Sequence, residues 1–278
     1  MKNMSALSKT AIHGLIILYI IFLLFPLLWV VASSLKSTQE IYSGSPTILP
    51  HQISFDHYLS VINGQQIFRS MWNSLIVGAI SAILVIILAV PSAYSMVRYK
   101  SMINNAILGW ILVSQIFPVI LVMIPLYVLL RYIGLTDTLT GLTLIYVVWS
   151  LPFVLWMMHG YVKSIPLELE EAAVMDGATR AQVIIKILMP LLLPAIGASA
   201  LFAFVSAWNE FFFALVLMKS PVLSTLQVEL ARYTGMEGQA RTGPLAAASV
   251  IATIPSIVLF IFMRKWITTG LVSGALKG

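Results

Sequence analysis

The sequence predicts an all-α, polytopic membrane protein with six transmembrane helices. Three observations carry that reading. Hydrophobic residues make up 60% of the 278-residue chain and charged residues only 9%, whereas a soluble domain carries about 25% charged residues. Mean hydropathy is +0.98. The charges fall between long apolar runs rather than along them. Such a chain is solvated by lipid, in which a spanning helix needs about 20 mostly apolar residues.

Six stretches meet that requirement, at 12–31, 75–96, 106–130, 139–158, 187–218 and 245–263. The first is too long, and too poorly followed by a small-residue cleavage site, for a plain signal peptide, and is expected to stay as an anchor. The third holds Pro118 and Pro125 and the fourth Pro152. Proline removes a helical donor and clashes with the carbonyl four residues back, so these spans are expected to kink and to pack around something. In the fifth, Ala195, Ser199, Ala203 and Ala207 recur every four residues as a small stripe for close helix contact. Leu201, Phe204, Trp208 and Phe211 form a bulkier stripe roughly opposite, and Glu210 is expected nearer the small face.

Lys and Arg set the orientation. With the N-terminus inside, Lys2, Lys9, Arg98, Lys100, Lys163, Arg180, Lys186, Arg264, Lys265 and Lys277 lie on the inner side. Lys36, Arg69, Arg131, Lys219, Arg232 and Arg241 lie outside, and the positive-inside rule prefers this arrangement. Both termini are then cytoplasmic. The positives flank spans instead of forming one patch, so the net charge of +6 does not indicate nucleic-acid binding.

Four of the ten acidic residues, Glu168, Glu170, Glu171 and Asp176, fall in one interruption at 164–190, on the inner side. Ser164 is expected to cap a helix with Pro166 in its first turn and the three glutamates near the positive end of its dipole. Gly177 is expected to end it in the left-handed conformation, and Thr179 with Gln182 to open a second helix through a capping box. This is a helical elbow at the membrane surface, and Ala172 and Ala173 leave its middle open to close approach. Local signals alone fit a tidy loop as well as a docking element.

The wording of the elbow goes further. Glu171-Ala172-Ala173, then three residues, Gly177, nine residues and Ile187-Leu188-Met189-Pro190 resembles the cytoplasmic signature of ABC-importer permeases, with Met189 in place of the usual leucine. The likeness extends over essentially the whole chain: SLK at 34–36, AYSMVRYK at 93–100, IPLY at 124–127, GLTDTLTGL at 134–142, AWNEFFFAL at 207–215 and GLVSGALKG at 270–278. It is closest to the shorter permease of the pair in carbohydrate importers of the maltose-transporter type. That resemblance implies a type I ABC importer permease fold, one transmembrane domain over 1–278, with a cytoplasmic coupling helix in the elbow. Glu171, Ala172, Ala173, Asp176 and Gly177 would contact the ATPase, with Gly274 and Lys277 in the tail as a second contact. The implied partners are a longer homologous permease, a dimer of ATP-binding subunits that hold ATP and Mg, an extracytoplasmic solute-binding protein, membrane lipid and an oligosaccharide. The implied location is a bacterial or archaeal cytoplasmic membrane. The loop before the last span, MEGQARTG at 236–243, would meet the binding protein.

The residues agree independently that energy comes from elsewhere. No G-x-x-x-x-G-K-[ST] loop occurs, so no cofactor site for ATP is expected on this chain. Glu210 is the single acid within the expected spans, too little for the titratable network of a proton-driven secondary carrier. No H-E-x-x-H or nucleophile set suggests an enzyme, and without cysteine there is no thiolate metal site. His13 and His159 near span ends read as snorkelling or satisfied side chains, and His51 and His57 as solvated loop residues without a third metal ligand. Trp208, Asn209 and Glu210 are candidates for the substrate path, the aromatic ring to stack on a sugar and the others to accept its hydroxyls; aromatic packing with a structural acid is the competing reading. An ABC permease for a glycerol phosphoester or an amino acid remains the alternative function.

Overall fold

The computed structural model describes residues 6–43, 47–99, 101–235 and 241–275, and among them the regular structure is helical, without strands. In chain order the helices are α1 (Ala6–Ser34), α2 (Thr38–Ile41), α3 (Asp56–Asn63), α4 (Gln66–Arg98), α5 (Met102–Ser114), α6 (Val119–Tyr132) and α7 (Leu139–Ser164). There follow α8 (Glu168–Met175), α9 (Arg180–Val183), a π-turn at Ile184–Leu188, α10 (Met189–Trp208), α11 (Phe212–Leu217), α12 (Leu226–Arg232) and α13 (Thr242–Ala275). Among the described residues, five helical runs are long and apolar enough to cross a membrane: Ile12–Ser34, Gln66–Arg98, Leu139–Ser164, Arg180–Trp208 and Thr242–Phe262.

Two expected spans are not continuous. The third, at 106–130, divides into α5 and α6 around residues 115–118. Pro118 takes φ −57° and ψ 129° at the N-cap of α6. A proline also drives the residue before it out of the helical region, so the run cannot pass straight through. The fifth, at 187–218, ends as a helix at Trp208 and resumes in α11. Glu210 therefore sits in a break, not on a helix face. By contrast Pro91, Pro152 and Pro255 stay inside their helices. Near two of them a serine hydroxyl donates back to the carbonyl four residues before it: Ser92 to that of Leu88 at 2.7 Å and Ser150 to that of Tyr146.

The chain divides into two compact units, Met1–Phe68 with Glu229–Ile254, and Arg69–Val228 with Pro255–Gly278. In the first, the backbone N–H of Ser54 donates to the Leu35 carbonyl at 2.8 Å, and the hydroxyls of Ser34 and Tyr58 share a hydrogen bond at 2.8 Å. Ala246, Ala247, Ala248 and Ala252 are buried along α13, where small side chains allow close approach. The core of the second unit gathers Val77 of α4, Met123 and Leu130 of α6, Leu142, Ile145 and Tyr146 of α7, and Phe213, Ala214 and Leu217 of α11. α10 lies along α7, and its stripe of Ala195, Ser199, Ala203 and Ala207 is buried, as its spacing predicts. Phe204 and Trp208 are buried as well, so the bulky stripe is not left to lipid.

The segment GLTDTLTGL shows why its residue types are needed. Gly134 has φ +71° and Asp137 φ +55°. Thr138 caps α7 by accepting from the N–H of Gly141 at 3.0 Å. A Cβ at Gly141 would stand 2.1 Å from the Leu135 carbonyl oxygen, so only glycine fits under the turn. The Asp137 carboxylate accepts from the backbone N–H groups of Lys219 and Ser220 at 2.9 and 3.0 Å and from the Ser220 hydroxyl. These donors, the Ser220 hydroxyl foremost, hold its carboxyl below the usual range.

Gly141→Ala should destabilise the purified protein by about 1–3 kcal/mol through overpacking. Gly160→Ala, where an added Cβ would meet nothing within 4 Å beyond its own stretch of helix, is the matched control and should not. Thermal unfolding in detergent separates them, and equal melting points would remove the steric argument. A second expectation concerns acid. A depressed folded pKa means that the Asp137 contact stabilises fully above the unfolded value, about 3.9, and is lost as pH falls through the folded one. The protection of the Lys219 and Ser220 amides from hydrogen exchange, relative to the intrinsic rate at each pH, should therefore stay constant from neutrality to mild acid and fall only below the ordinary carboxylate range. In Asp137→Asn that acid-dependent step should vanish.

Candidate functional site

The elbow begins where α7 stops. Pro166 disfavours the helical region for Ile165, which turns extended at φ −84° and ψ 121°. Ser164 accordingly does not cap the next helix. It is the last residue of α7, and its hydroxyl donates to the Tyr161 carbonyl at 2.8 Å. α8 starts without a side-chain cap, and Glu168, Glu170 and Glu171 in its first turn offset the exposed N–H groups through the helix dipole. At the other end Gly177 has φ +85°. The N–H of Ala178 donates to the Ala173 carbonyl and that of Gly177 to the Val174 carbonyl, both at 3.0 Å, the paired bonds of a Schellman stop. Thr179 and Gln182 then form the expected capping box.

From Arg180 the chain stays helical to Trp208. The π-turn precedes Pro190, whose ring would clash with the Lys186 carbonyl in a regular α-helix. The longer turn relieves that clash, and the N–H of Met189 reaches back to the Ile184 carbonyl.

What seats the elbow is Glu170. Its side chain is 9% exposed and meets the guanidinium of Arg98, at the end of α4, with 2.5 Å between Oε1 and Nε. The Tyr94 hydroxyl donates to Oε2 at 2.9 Å. Arg98 Nη2 also donates to the Ile165 carbonyl at 3.0 Å, and Arg180 Nη1 to the Tyr99 hydroxyl at 3.0 Å. Both the start of the elbow and the head of its second helix are thus tied to the C-terminal end of α4 and the residue that follows it. Ala173, one turn after Glu170, is buried on the same side. Glu171, Ala172, Asp176 and Gly177 are exposed, and Met175 is 87% exposed. A cavity of about 670 Å³ opens beside them, lined by Tyr94, Arg98, Glu170, Glu171, Met175 and Arg180 among others.

The other sequence-expected residues fall elsewhere. Gly274 lies in the last turn of α13, and Lys277 lies outside the described residues, as does 236–240 of the loop before the last span. Glu210 bridges helices: it accepts from the Tyr146 hydroxyl of α7 at 2.8 Å and from the N–H groups of Phe213 and Ala214 at 2.8 and 3.2 Å, capping α11. Trp208 is buried in a stack with Phe204, ring centroids 5.8 Å apart. Asn209 is exposed and donates to the Val205 carbonyl at 3.0 Å. His51 pairs with Glu40 at 2.9 Å, and His57 is buried rather than solvated. Among the described residues, no group of three or more His, Cys, Asp or Glu is placed to hold a metal.

Sequence reasoning singled out Glu171 and missed the seat of Glu170, Arg98, Tyr94 and Arg180. The available signal was the three-residue spacing of Glu170 and Ala173, which puts both on one face of α8, opposite the exposed Glu171-Ala172 edge.

A family model described as "Binding-protein-dependent transport system inner membrane component" matches residues 85–272. The chain belongs to this family. It is a permease subunit, not a catalytic one. A putative ABC transporter permease protein of Streptomyces antibioticus is 49% identical over 213 residues, 77% of this chain and 93% of the relative. The trehalose transport system permease protein SugB of Mycobacterium tuberculosis is 34% identical, covering 92% of this chain and 93% of that protein. The diacetylchitobiose uptake system permease protein DasC of Streptomyces coelicolor is 31% identical, with 92% of each covered. In fold, the chain matches a bacterial ABC transporter that imports the acidic polysaccharide alginate, with a TM-score of 0.81, 24% identity, and 96% of this chain and 100% of that one covered.

Glu170→Ala leaves Arg98 half-stripped of its partners in a poorly solvated place, and breaking such a pair costs about 3 kcal/mol or more. Glu171→Ala removes an exposed side chain and should change stability by about 0.5 kcal/mol or less. Thermal melts of the two purified variants should differ clearly, and matching melts would show that Glu170 does not seat the elbow.

Proposed function

We propose that this chain is one permease subunit of an ATP-driven, binding-protein-dependent importer of a carbohydrate, an oligosaccharide, and that it forms half of the translocation path. The observation that carries the reading is the exposed Glu171-Ala172 edge, ending in the Gly177 turn and seated by the Glu170–Arg98 pair. It stands in a chain whose family relatives include permeases named for trehalose and for diacetylchitobiose. Residues 1–278 act as one transmembrane domain in the cytoplasmic membrane of a bacterium or archaeon, with both termini and the elbow at 164–190 inside.

In this reading Glu171, Ala172, Asp176 and Gly177 dock in a cleft of the ATPase, and Gly274 and Lys277 make the second contact; Ala173, expected from the sequence at the docking edge, is instead buried on the Glu170 side of α8 and packs the elbow against its own chain. The chain binds no cofactor; ATP and Mg belong to the partner pair. Closure of the ATPases displaces the elbow. Its ties to α4 and its unbroken helical run into α10 convert that displacement into movement of two spans. The breaks at 115–118 and 209–211 leave the others able to adjust. A longer homologous permease completes the path, and an extracytoplasmic binding protein delivers the sugar. Trp208, Asn209 and Glu210 line or border the path. Of the three, Asn209 has the side chain open to a hydroxyl, while the donors around Glu210 favour a structural role for it.

Glu171→Lys reverses the charge on the docking edge without touching the seat. The ATPase subunits recovered with the affinity-purified permease should fall several-fold, and sugar-stimulated ATP hydrolysis should fall with them. Wild-type recovery together with wild-type uptake would sink the elbow assignment. The substrate class is tested separately, by presenting binding protein loaded with disaccharides, glycerol phosphoesters or amino acids to the reconstituted complex. Only the disaccharides should stimulate hydrolysis.

A further inference from the structure

The segment joining α1 to α4 carries apolar side chains that its own unit leaves uncovered. α3 shows the pattern most clearly. His57 and Val61 are buried against the rest of the unit, while Phe55, Leu59 and Ile62 are 61%, 56% and 41% exposed. At about 100° per residue those three fall within an arc of about 60°. Asp56, Ser60 and Asn63, all exposed, occupy the neighbouring arc. One short helix thus has a face for protein, a face of bare hydrocarbon and a face of polar groups. A helix lying in a membrane interface needs those last two faces side by side.

The depth of α3 is fixed by hydrogen bonds. α1, whose side chains are exposed along most of the apolar run from Ile12 to Val31, ends at Ser34. Ser34 shares its hydroxyl hydrogen bond with Tyr58 at 2.8 Å, and the Ser54 N–H donates to the Leu35 carbonyl at 2.8 Å. The first turn of α3 is therefore stapled to the residues at which the span leaves the hydrocarbon. Trp29 lies five residues earlier, about 7.5 Å of helical rise, in a position that aromatic residues favour at the headgroup level. Lys36 is buried, lies over the Trp29 ring at 5.0 Å and donates to the Thr47 carbonyl, so it is turned to the protein rather than to lipid phosphates.

We infer that α3 is an interfacial helix: Phe55, Leu59 and Ile62 rest in the headgroup–acyl boundary of the leaflet at which α1 emerges, and Asp56, Ser60 and Asn63 face water. The contact is apolar insertion and does not require anionic lipid. It anchors the α1–α4 connection at a set depth, independently of which substrate is carried.

The chain contains no cysteine, which makes the test direct. Leu59→Cys, Ile62→Cys, Asp56→Cys and Ser60→Cys are each nitroxide-labelled in the full transporter and reconstituted in neutral phosphatidylcholine vesicles. The ratio of collisions with oxygen to collisions with a water-soluble nickel chelate should be several-fold higher at 59 and 62 than at 56 and 60. Adding anionic lipid should leave the ratios unchanged. Labels at 59 and 62 open to the nickel chelate would place α3 in water, and labels closed to both reagents would place it beneath another protein; either result overturns the inference. If a nitroxide disturbs assembly, a polar maleimide added to both faces of the same vesicles should modify 56 and 60 but spare 59 and 62. Equal modification at all four positions overturns it as well.

Discussion

Peptide groups inside a hydrocarbon layer have no water to bond, so each place where a helix stops must bring its own partners. The architecture follows from how this chain meets that demand. At 209–211 the Glu210 carboxylate takes up free N–H groups at the start of α11 and the Tyr146 hydroxyl at once. A single acid thereby closes a helix end and holds α11 to α7. At Pro91 and Pro152 the helices run on, and the hydroxyls of Ser92 and Ser150 bond the Leu88 and Tyr146 carbonyls near the ones that lost an N–H. Where the connection leaves the apolar layer, as between α6 and α7, glycine, aspartate and threonine take over, and the turn closes on backbone and carboxylate.

The elbow obeys a related rule in a wetter place. A carboxylate and a guanidinium are expensive to desolvate singly, and Glu170 with Arg98 remains tolerable because each also has a further partner, the Tyr94 hydroxyl and the Ile165 carbonyl. The result is a rigid attachment on one side of α8 and an open edge on the other. Rigidity and exposure on opposite faces of two helical turns is what the proposed transmitting role needs. A mobile elbow would absorb a push; one without a free edge would never receive it.

Much of this was legible in the sequence. Apolar runs located the spans, the four-residue recurrence of Ala195, Ser199, Ala203 and Ala207 located the buried side of α10, and Gly177 with Thr179 and Gln182 marked the stop and restart of the elbow. The losses have particular causes. Ser164 fits a cap by type, but Pro166 lets α7 run through it, and side-chain preference cannot weigh those two effects. The breaks at 115–118 and 209–211 were hidden because their apolar residues satisfy a hydropathy window whether the backbone is helical or not. Glu170 went unassigned because its partner is 72 residues away, and charge identity along the chain says nothing of which acid turns inward.

The π-turn at Ile184–Leu188 gives the elbow a mechanical property of its own. It accommodates one residue more than an α-turn would, as a ladder with a spare rung. Closing that spare rung would screw everything before it by about 100° about the axis of α10 and move it about 1.5 Å along that axis. Passing the rung one position along would need only one bond exchanged for its neighbour, with no opening of the helix. Under the proposed coupling role, a thrust at Glu171 would reach α10 through a joint whose hydrogen-bond register can shift by twisting.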